Sequence, residues 1–321
     1  MSGRRVVWCV LSVVVSILAS GLVWATGTPS ASAEPLTPVP QAACTGVDGF
    51  AAGTTSVHRT EVNGVERTYR VHVPADFTGR SRYPLILAYH GRAEKSTTFE
   101  RYTRLSALPA IVVFPAGLPG TDGQIAWQGA PYSSPQADDI AFTRTILREV
   151  RTMTCVDRTR TFAVGRSNGG GFVGLLACQM TSDFAAYAAI SGAFYAGHGA
   201  GCATSPPVSV LEFHGTADPI IKYKGGVRFG GRYAAVQGWL DGWIRKAGCV
   251  RTPISTRITA DVDRLDWPVC GAAGHQVTHY RINGGGHRWP GSTGNPGAGK
   301  RSDTISASSL VWQFFSAHPK A

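Results

Sequence analysis

Gly165-Arg166-Ser167-Asn168-Gly169-Gly170-Gly171 stands between a short apolar run at 161–164 and a longer apolar segment at 170–180. The first has the length of a buried strand and the second that of a helix. A serine on a tight strand-to-helix turn sits in strained backbone geometry. Its neighbours must then lack side chains that would collide, which is what the pattern Gly-x-Ser-x-Gly supplies. Such a turn lifts the Ser167 hydroxyl above the sheet and aims the start of the following helix at it. The backbone N–H of Asn168 can then donate to a developing oxyanion.

A nucleophilic serine needs a base, and the base needs an acid to orient it. On a strand–helix scaffold both are expected downstream, each in a loop at the carboxyl end of a strand. The apolar run 208–213 ends in His214-Gly215-Thr216-Ala217-Asp218-Pro219, which puts Asp218 just past a strand. The run 277–282 ends in Asn283-Gly284-Gly285-Gly286-His287, so His287 lies in a glycine-rich loop before the last helix. Ser167, Asp218 and His287 are the candidate triad. Other histidines fit less well: His279 falls inside a strand, His198 and His275 lie in loops without a matching partner, and His318 is near the end. His90 and His214 each close a strand before a glycine and read as structural groups that hydrogen-bond loops near the site. Asp183 and Asp241 lie in or beside helices. A second oxyanion donor is expected after the run 85–89, from the N–H of Arg92 or of Gly91, and the sequence does not choose between them. Trp289 and Trp127 are candidates to flank the substrate, Trp289 the stronger because it stands two residues past the base.

Further out the alternation continues. Residues 65–73 alternate apolar and polar as an outer strand should, while 85–89 and 110–114 are continuous apolar runs suited to burial on both faces. Residues 138–153 form an amphipathic helix opened by Asp138 and Asp139, where the helix dipole favours anions. Strands at 161–164, 187–190, 208–213 and 277–282 alternate with helices at 170–180, 233–246 and 304–317. This order predicts an α/β fold, a mostly parallel central sheet with helices on both faces. There is no internal repeat. One catalytic domain is expected over 44–321.

The start of the chain reads differently. Arg4 and Arg5 precede an almost wholly apolar stretch, 6–24, and Ala31-Ser32-Ala33 supplies a cleavage pattern. Residues 1–33 are expected to be a signal peptide and 34–43 a Pro/Ser-rich linker, giving a secreted, extracellular protein with no stable membrane insertion after cleavage. Cys44, Cys155, Cys178, Cys202, Cys249 and Cys270 then remain, an even number that suggests disulfides with fifteen possible connectivities. Nearness in sequence favours Cys249–Cys270 and Cys178–Cys202, which leaves Cys44–Cys155. No pair has C-x-x-C spacing, so no metal is expected. The net charge of +11 includes Arg4 and Arg5, leaving +9 for the remainder. Its arginines are scattered, without a basic run interleaved with aromatics, so nucleic acid is not an expected partner. A monomer is expected.

Taken together these residues resemble the secreted esterases grouped with polyhydroxybutyrate depolymerases and the feruloyl and acetylxylan esterases of the first carbohydrate esterase family. The likeness runs through His90-Gly91, Asp138-Asp139-Ile140, Cys155-Val156-Asp157, Ser167-Asn168-Gly169-Gly170, Cys178, His214-Gly215-Thr216-Ala217-Asp218 and Gly285-Gly286-His287-Arg288-Trp289-Pro290-Gly291. It implies an α/β-hydrolase fold and cofactor-free ester hydrolysis through an acyl-enzyme, with Ser167 as nucleophile, His287 as base and Asp218 as its orienting acid. The implied substrate is an ester, polysaccharide-linked in the feruloyl or acetylxylan case. A polyhydroxybutyrate oligomer is the alternative, and extracellular acyl transfer or non-catalytic binding stand behind it. Two positions depart from the family: Arg166, where Met or Leu is usual, and Arg92, where Gly or Cys follows the His-Gly turn. Both bear on which ester is preferred, since Arg92 stands where it can reach the mouth of the pocket.

Overall fold

The computed structural model describes residues 44, 49–268, 270–271, 274–292, 294 and 297–320. The expected signal peptide and linker lie outside the described residues, which all belong to one compact unit, Ala43–Ala321.

The chain opens with an antiparallel pair, β1 (Thr55–Val62) and β2 (Val65–His72), turning at Asn63-Gly64 where both residues have positive φ. There follow β3 (Tyr83–Tyr89), helix α1 (Ser96–Thr103), β4 (Ile111–Pro115), a two-stranded ribbon of β5 (Leu118–Pro119) and β6 (Ile125–Ala126), and α2 (Asp139–Met153). The centre of the chain runs β7 (Val156–Arg166), α3 (Asn168–Gln179), β8 (Ala186–Ile190) and β9 (Ser209–Gly215). A second ribbon, β10 (Gly226–Arg228) with β11 (Gly231–Tyr233), precedes α4 (Val236–Lys246). Strands β12 (Ile254–Thr259), β13 (Val262–Trp267) and β14 (Val277–Ile282) and helix α5 (Ala307–Ala317) close the chain.

Ten strands form one sheet in the order β1-β2-β4-β3-β7-β8-β9-β14-β13-β12. From β4 to β14 the pairing is parallel, and antiparallel pairs finish each edge. The apolar runs at 85–89 and 110–114 have no polar alternation because both faces are covered. On β3, Leu85, Leu87 and Tyr89 join the core that α2, α3 and α4 pack onto, while Ile86 and Ala88 join the core beneath α1 and α5. Three disulfides, Cys44–Cys155, Cys178–Cys202 and Cys249–Cys270, follow the pairing that sequence proximity favours. Each such bridge typically contributes about 2–5 kcal/mol.

The carboxylate at the start of α2 is more deeply embedded than a dipole argument requires. Asp138 caps the helix by accepting from Ala141 N–H, but Asp139 is fully buried, bonded to Arg67 at 2.7 Å and accepting the Gln128 N–H at 2.7 Å. The Arg67 guanidinium lies 3.9 Å from the Phe142 ring centroid. Asp139 thereby ties β2, the 127–139 loop and α2 together under the site.

Candidate active site

Strand β7 enters the site at Arg166 and α3 leaves it at Asn168, with Ser167 alone between them at φ 54°, ψ −119°. A positive φ on a non-glycine residue is costly. It persists here because the surroundings fix both backbone groups: Ser167 N–H donates to Ile190 C=O at 2.9 Å, and Ser167 C=O accepts from Gly171 and Ala193, both at 2.9 Å. The flanking glycines are required by contact. A Cβ on Gly169 would lie 2.3 Å from the Tyr89 carbonyl oxygen, and one on Gly165 would lie 2.3 Å from that of Gly169. The tight approach of α3 to the ends of β3 and β7 therefore depends on absent side chains.

Asp218 follows β9 and His287 follows β14, and the parallel pairing of those two strands brings the loops together. His287 Nδ1 stands 2.7 Å from Asp218 Oδ2. The other carboxylate oxygen, Oδ1, accepts the N–H groups of Ile220 and Ile221, both at 2.8 Å. Burial opposes the charge of Asp218, but the hydrogen bonds from His214 and His287 outweigh it and hold the carboxyl well below the usual range. Burial pushes the His287 imidazole down to about 4 despite the pull of Asp218. At neutral pH the ring is therefore uncharged, with Nδ1–H committed to Asp218 and Nε2 left as a base. Ser167 and His287 line one cavity of about 650 Å³.

The question of the second oxyanion donor is narrowed by geometry. Gly91 N–H is already bonded to Glu94 Oε2 at 2.8 Å, which leaves Arg92 N–H as the candidate on that loop. Asn168 is clamped through its side chain, its Oδ1 accepting Trp127 N–H at 2.7 Å and its Nδ2 donating to Trp127 C=O at 3.3 Å. Its backbone N–H, at the first position of α3, has no carbonyl within the helix to meet.

The two tryptophans are not in the cavity wall, and the expectation that they flank the substrate is corrected. Trp289 packs edge-on against Phe99 with centroids 5.6 Å apart, and its Nε1 donates to Ser308 at 3.1 Å. It belongs to the core between α1 and α5. Trp127 stacks on Phe172 and donates from Nε1 to His90 C=O at 2.8 Å. In both cases the indole finds its N–H partner inside the protein and nothing draws the ring outward. The cavity's aromatics are instead Tyr132, Tyr195 and Phe229. Phe229 is the tip of the β10–β11 ribbon at φ 51°, a position with no motif to announce it.

Arg92 and Arg166, the two departures, both line the cavity. Arg92 is ion-paired with Asp122, and its guanidinium lies 4.5 Å from the Phe229 centroid and 5.1 Å from that of Tyr132. Arg166 is buried. It approaches Glu94 Oε2 at 3.6 Å, donates to Tyr102 OH at 3.4 Å and donates to His287 C=O at 3.0 Å. It thus joins the nucleophile turn to the loops that carry Arg92 and His287. Glu94, missed in the sequence because it stands outside any recognisable pattern, is its counter-ion.

His90 and His214 are, as the sequence suggested, bonded to loops around the site. His90 Nδ1 meets Gly91 C=O at 2.8 Å and Nε2 accepts from Gly117 N–H at 3.0 Å, an arrangement that suits one uncharged tautomer. Burial lowers His90 to about 4. Among the described residues no group of three or more acidic, His or Cys side chains is arranged to hold a metal ion.

A strained serine between a parallel strand and a helix, with an acid and a histidine delivered by later strands, defines an α/β-hydrolase. The solved acetyl xylan esterase from Aspergillus awamori shares the fold over 81% of this chain and 99% of its own, with a TM-score of 0.58 at 13% identity. No family model matches the chain. Feruloyl esterase B of Piromyces equi is 32% identical over 228 residues, 68% of this chain but only 42% of that larger protein. A probable feruloyl esterase C of Aspergillus flavus is 26% identical over 287 residues, 85% of this chain and 94% of its own. The chain is similar to the feruloyl esterases, has the α/β-hydrolase fold and is a carboxylic ester hydrolase.

Proposed function

We propose that Ser167, His287 and Asp218 hydrolyse carboxylic esters through an acyl-enzyme, and that the substrates are hydroxycinnamoyl or acetyl esters carried on plant polysaccharide. The observation that carries the chemistry is the 2.7 Å contact of His287 Nδ1 with the buried Asp218, at the edge of the cavity that Ser167 lines. His287 Nε2 takes the Ser167 hydroxyl proton as Oγ bonds to the acyl carbon. The oxyanion rests on the N–H groups of Asn168 and Arg92. Collapse breaks the bond to the alcohol, which leaves with the proton from His287. Water, deprotonated by the same nitrogen, then attacks the acyl carbon, releases the acid and restores Ser167.

What supports the acyl class is the likeness to the feruloyl esterases together with an aromatic cavity wall of Tyr132, Tyr195 and Phe229, suited to a planar ring. Three disulfides fit an oxidising compartment, so we take the enzyme to act outside the cell. Initial rates on methyl ferulate, methyl sinapate, p-nitrophenyl acetate and polyhydroxybutyrate oligomers, with Ser167→Ala as control, test the proposal. Turnover of the ferulate, abolished in the variant, is the expected result. Activity on the hydroxybutyrate oligomers alone would reassign the substrate to a polyester. A Ser167→Ala enzyme as active as the parent would end the triad assignment.

A further inference from the structure

Asp218 has a second histidine. His214 Nε2 lies 3.3 Å from Asp218 Oδ2, the same oxygen that His287 meets. Behind His214 stands a second carboxylate, Glu212, completely buried, with Oε1 2.9 Å from His214 Nδ1 and Oε2 2.7 Å from His279 Nδ1. His279 Nε2 in turn meets the Tyr223 hydroxyl at 2.9 Å. The buried line therefore runs Tyr223–His279–Glu212–His214–Asp218–His287.

The hydrogen-bond partners of His214 decide its protonation. Nδ1 faces the Glu212 carboxylate, and Nε2 faces the Ile221 carbonyl oxygen at 2.8 Å as well as Asp218. With Glu212 ionised, both ring nitrogens face atoms that only accept, so both must carry hydrogen. Resting on the triad reading given above, we propose that His214 is a permanent imidazolium and a positioning residue. It holds Asp218 Oδ2, the same oxygen that His287 meets, and through its charge adds to the burial that keeps His287 unprotonated at mildly acidic pH.

Several groups face His214. Glu212 shares its strand, Asp218 and the carbonyl of Ile221 come from the following loop, and the Tyr223 ring lies 5.9 Å away. Strand β14 contributes His279 behind Glu212 and places Arg281 opposite His214 across the ladder, with Arg281 itself bonded to Asp263 at 2.8 Å. Strand β8 offers only Ala189 and Ile190 at this level. Thus two carboxylates lie within contact of the ring and its fixed cation neighbour has a carboxylate of its own. Burial opposes a charge on His214, but Glu212 and Asp218 outweigh it and raise the ring to about 10. The same positive charge acts on His287 in the downward direction.

The test is the pH dependence of kcat/KM in His214→Gln and Glu212→Gln, each against the parent on p-nitrophenyl acetate. Both variants remove the positive charge beside Asp218, one directly and one by depriving the imidazolium of its counter-ion. The expected result is an acid limb moved upward by about one pH unit in both, with kcat at neutral pH lowered about tenfold or more. A merely structural role would lower the melting temperature and leave the acid limb where it was, and that outcome overturns the proposal. If neither variant folds, the ring nitrogen-15 shifts of His214 in the parent enzyme at pH 8 decide the matter. Two protonated nitrogens support the imidazolium and a neutral-ring pattern overturns it. Ser167→Ala run alongside separates the two readings: if it is inactive while the His214 profile does not move, only this inference fails. If Ser167→Ala is active, the triad reading fails and the nitrogen shifts still decide the charge on His214.

Discussion

Behind Ser167 lie Asp218, His214 and Glu212, all inside the protein, with each carboxylate holding two histidines. In front of it, at the mouth of the cavity, stand Arg92, Arg228 and Phe229, the last 45% exposed and carried on a ribbon of two three-residue strands. The floor is held by buried hydrogen bonds of 2.7–2.9 Å delivered by adjacent strands of the parallel sheet. The mouth is held by two cations against two aromatic rings, Arg92 over Tyr132 and Phe229 and Arg228 over Phe229, and by a surface ion pair. Interactions in the first setting are strong and costly to leave unmade, while those in the second are screened by solvent and individually small. Chemistry should therefore be sensitive to the floor, and choice of ester to the mouth.

The sharpest way to break that contrast is at the triad. Ser167→Ala or His287→Ala should lower kcat by about four to six orders of magnitude with little change in melting temperature. Asp218→Asn should cost about four, because the wrong tautomer of His287 is then held. Rates on p-nitrophenyl acetate check both, and a loss under a hundredfold would show that the floor is not the seat of chemistry.

Two variants act through stability instead, the first being Gly169→Val, whose Cβ would stand 2.3 Å from the Tyr89 carbonyl oxygen. Backbone must move, so a destabilisation of about 1–3 kcal/mol in urea unfolding is expected, with activity falling alongside. Arg166→Met restores the residue type usual in the family but strands the buried Glu94 beside it. It should lose about 3–5 kcal/mol, and Arg166→Met with Glu94→Gln should recover most of that. Thermal melts of the single and double variants read the difference.

Acid tolerance follows from the floor as well. The base must be unprotonated to act, and His287 is pushed down to about 4. The kcat/KM of the parent enzyme should thus stay level from neutral pH to about 5 and fall by half near 4, where an ordinary histidine would already fail near 6.5. Stability has two opposing histidine contributions. His214, raised to about 10, contributes fully below the unfolded value of about 6.5, and that contribution is lost as pH rises through 10. His287, lowered, contributes above about 6.5 and loses it as pH falls through 4. Urea unfolding across pH 4–10 should therefore find its maximum between those limits.

The smallest effects belong to the mouth. Phe229→Ala and Arg228→Ala should raise KM for an aromatic ester about threefold to tenfold and leave kcat within about twofold, since they remove binding shared by ground and transition states. Melting temperatures should not move. A large drop in kcat instead would join mouth and floor into one unit.

Much of the floor was legible from the chain alone. A glycine pattern around Ser167, and two strand-end loops carrying Asp218 and His287 in that order, are local signals, because a strand and the residue just past it are neighbours in sequence. The fold class followed from the same alternation. Some edge strands escaped: β12 has its side chains in solvent, so Ile254 and Ile258 stand exposed among polar residues and no buried face marks the strand. Trp127 and Trp289 were misplaced for a related reason. Proximity to a motif in sequence says where a backbone is but not which way a large side chain turns, and both rings turn into core that other elements supply.

The sequence by itself determined the α/β architecture and the placing of Ser167, Asp218 and His287 just past strand ends, and its proximities favoured a disulfide pairing. Only the tertiary structure decided the rest. Glu94 takes the Gly91 N–H and leaves that of Arg92, Arg166 ties three loops together, Phe229 reaches the mouth, and Glu212 charges a histidine that shares Asp218. Each of these depends on a contact between residues brought together by strand pairing or by the crossing of loops. The energy of a buried polar group depends on which partner meets it, and no single stretch of chain carries that information.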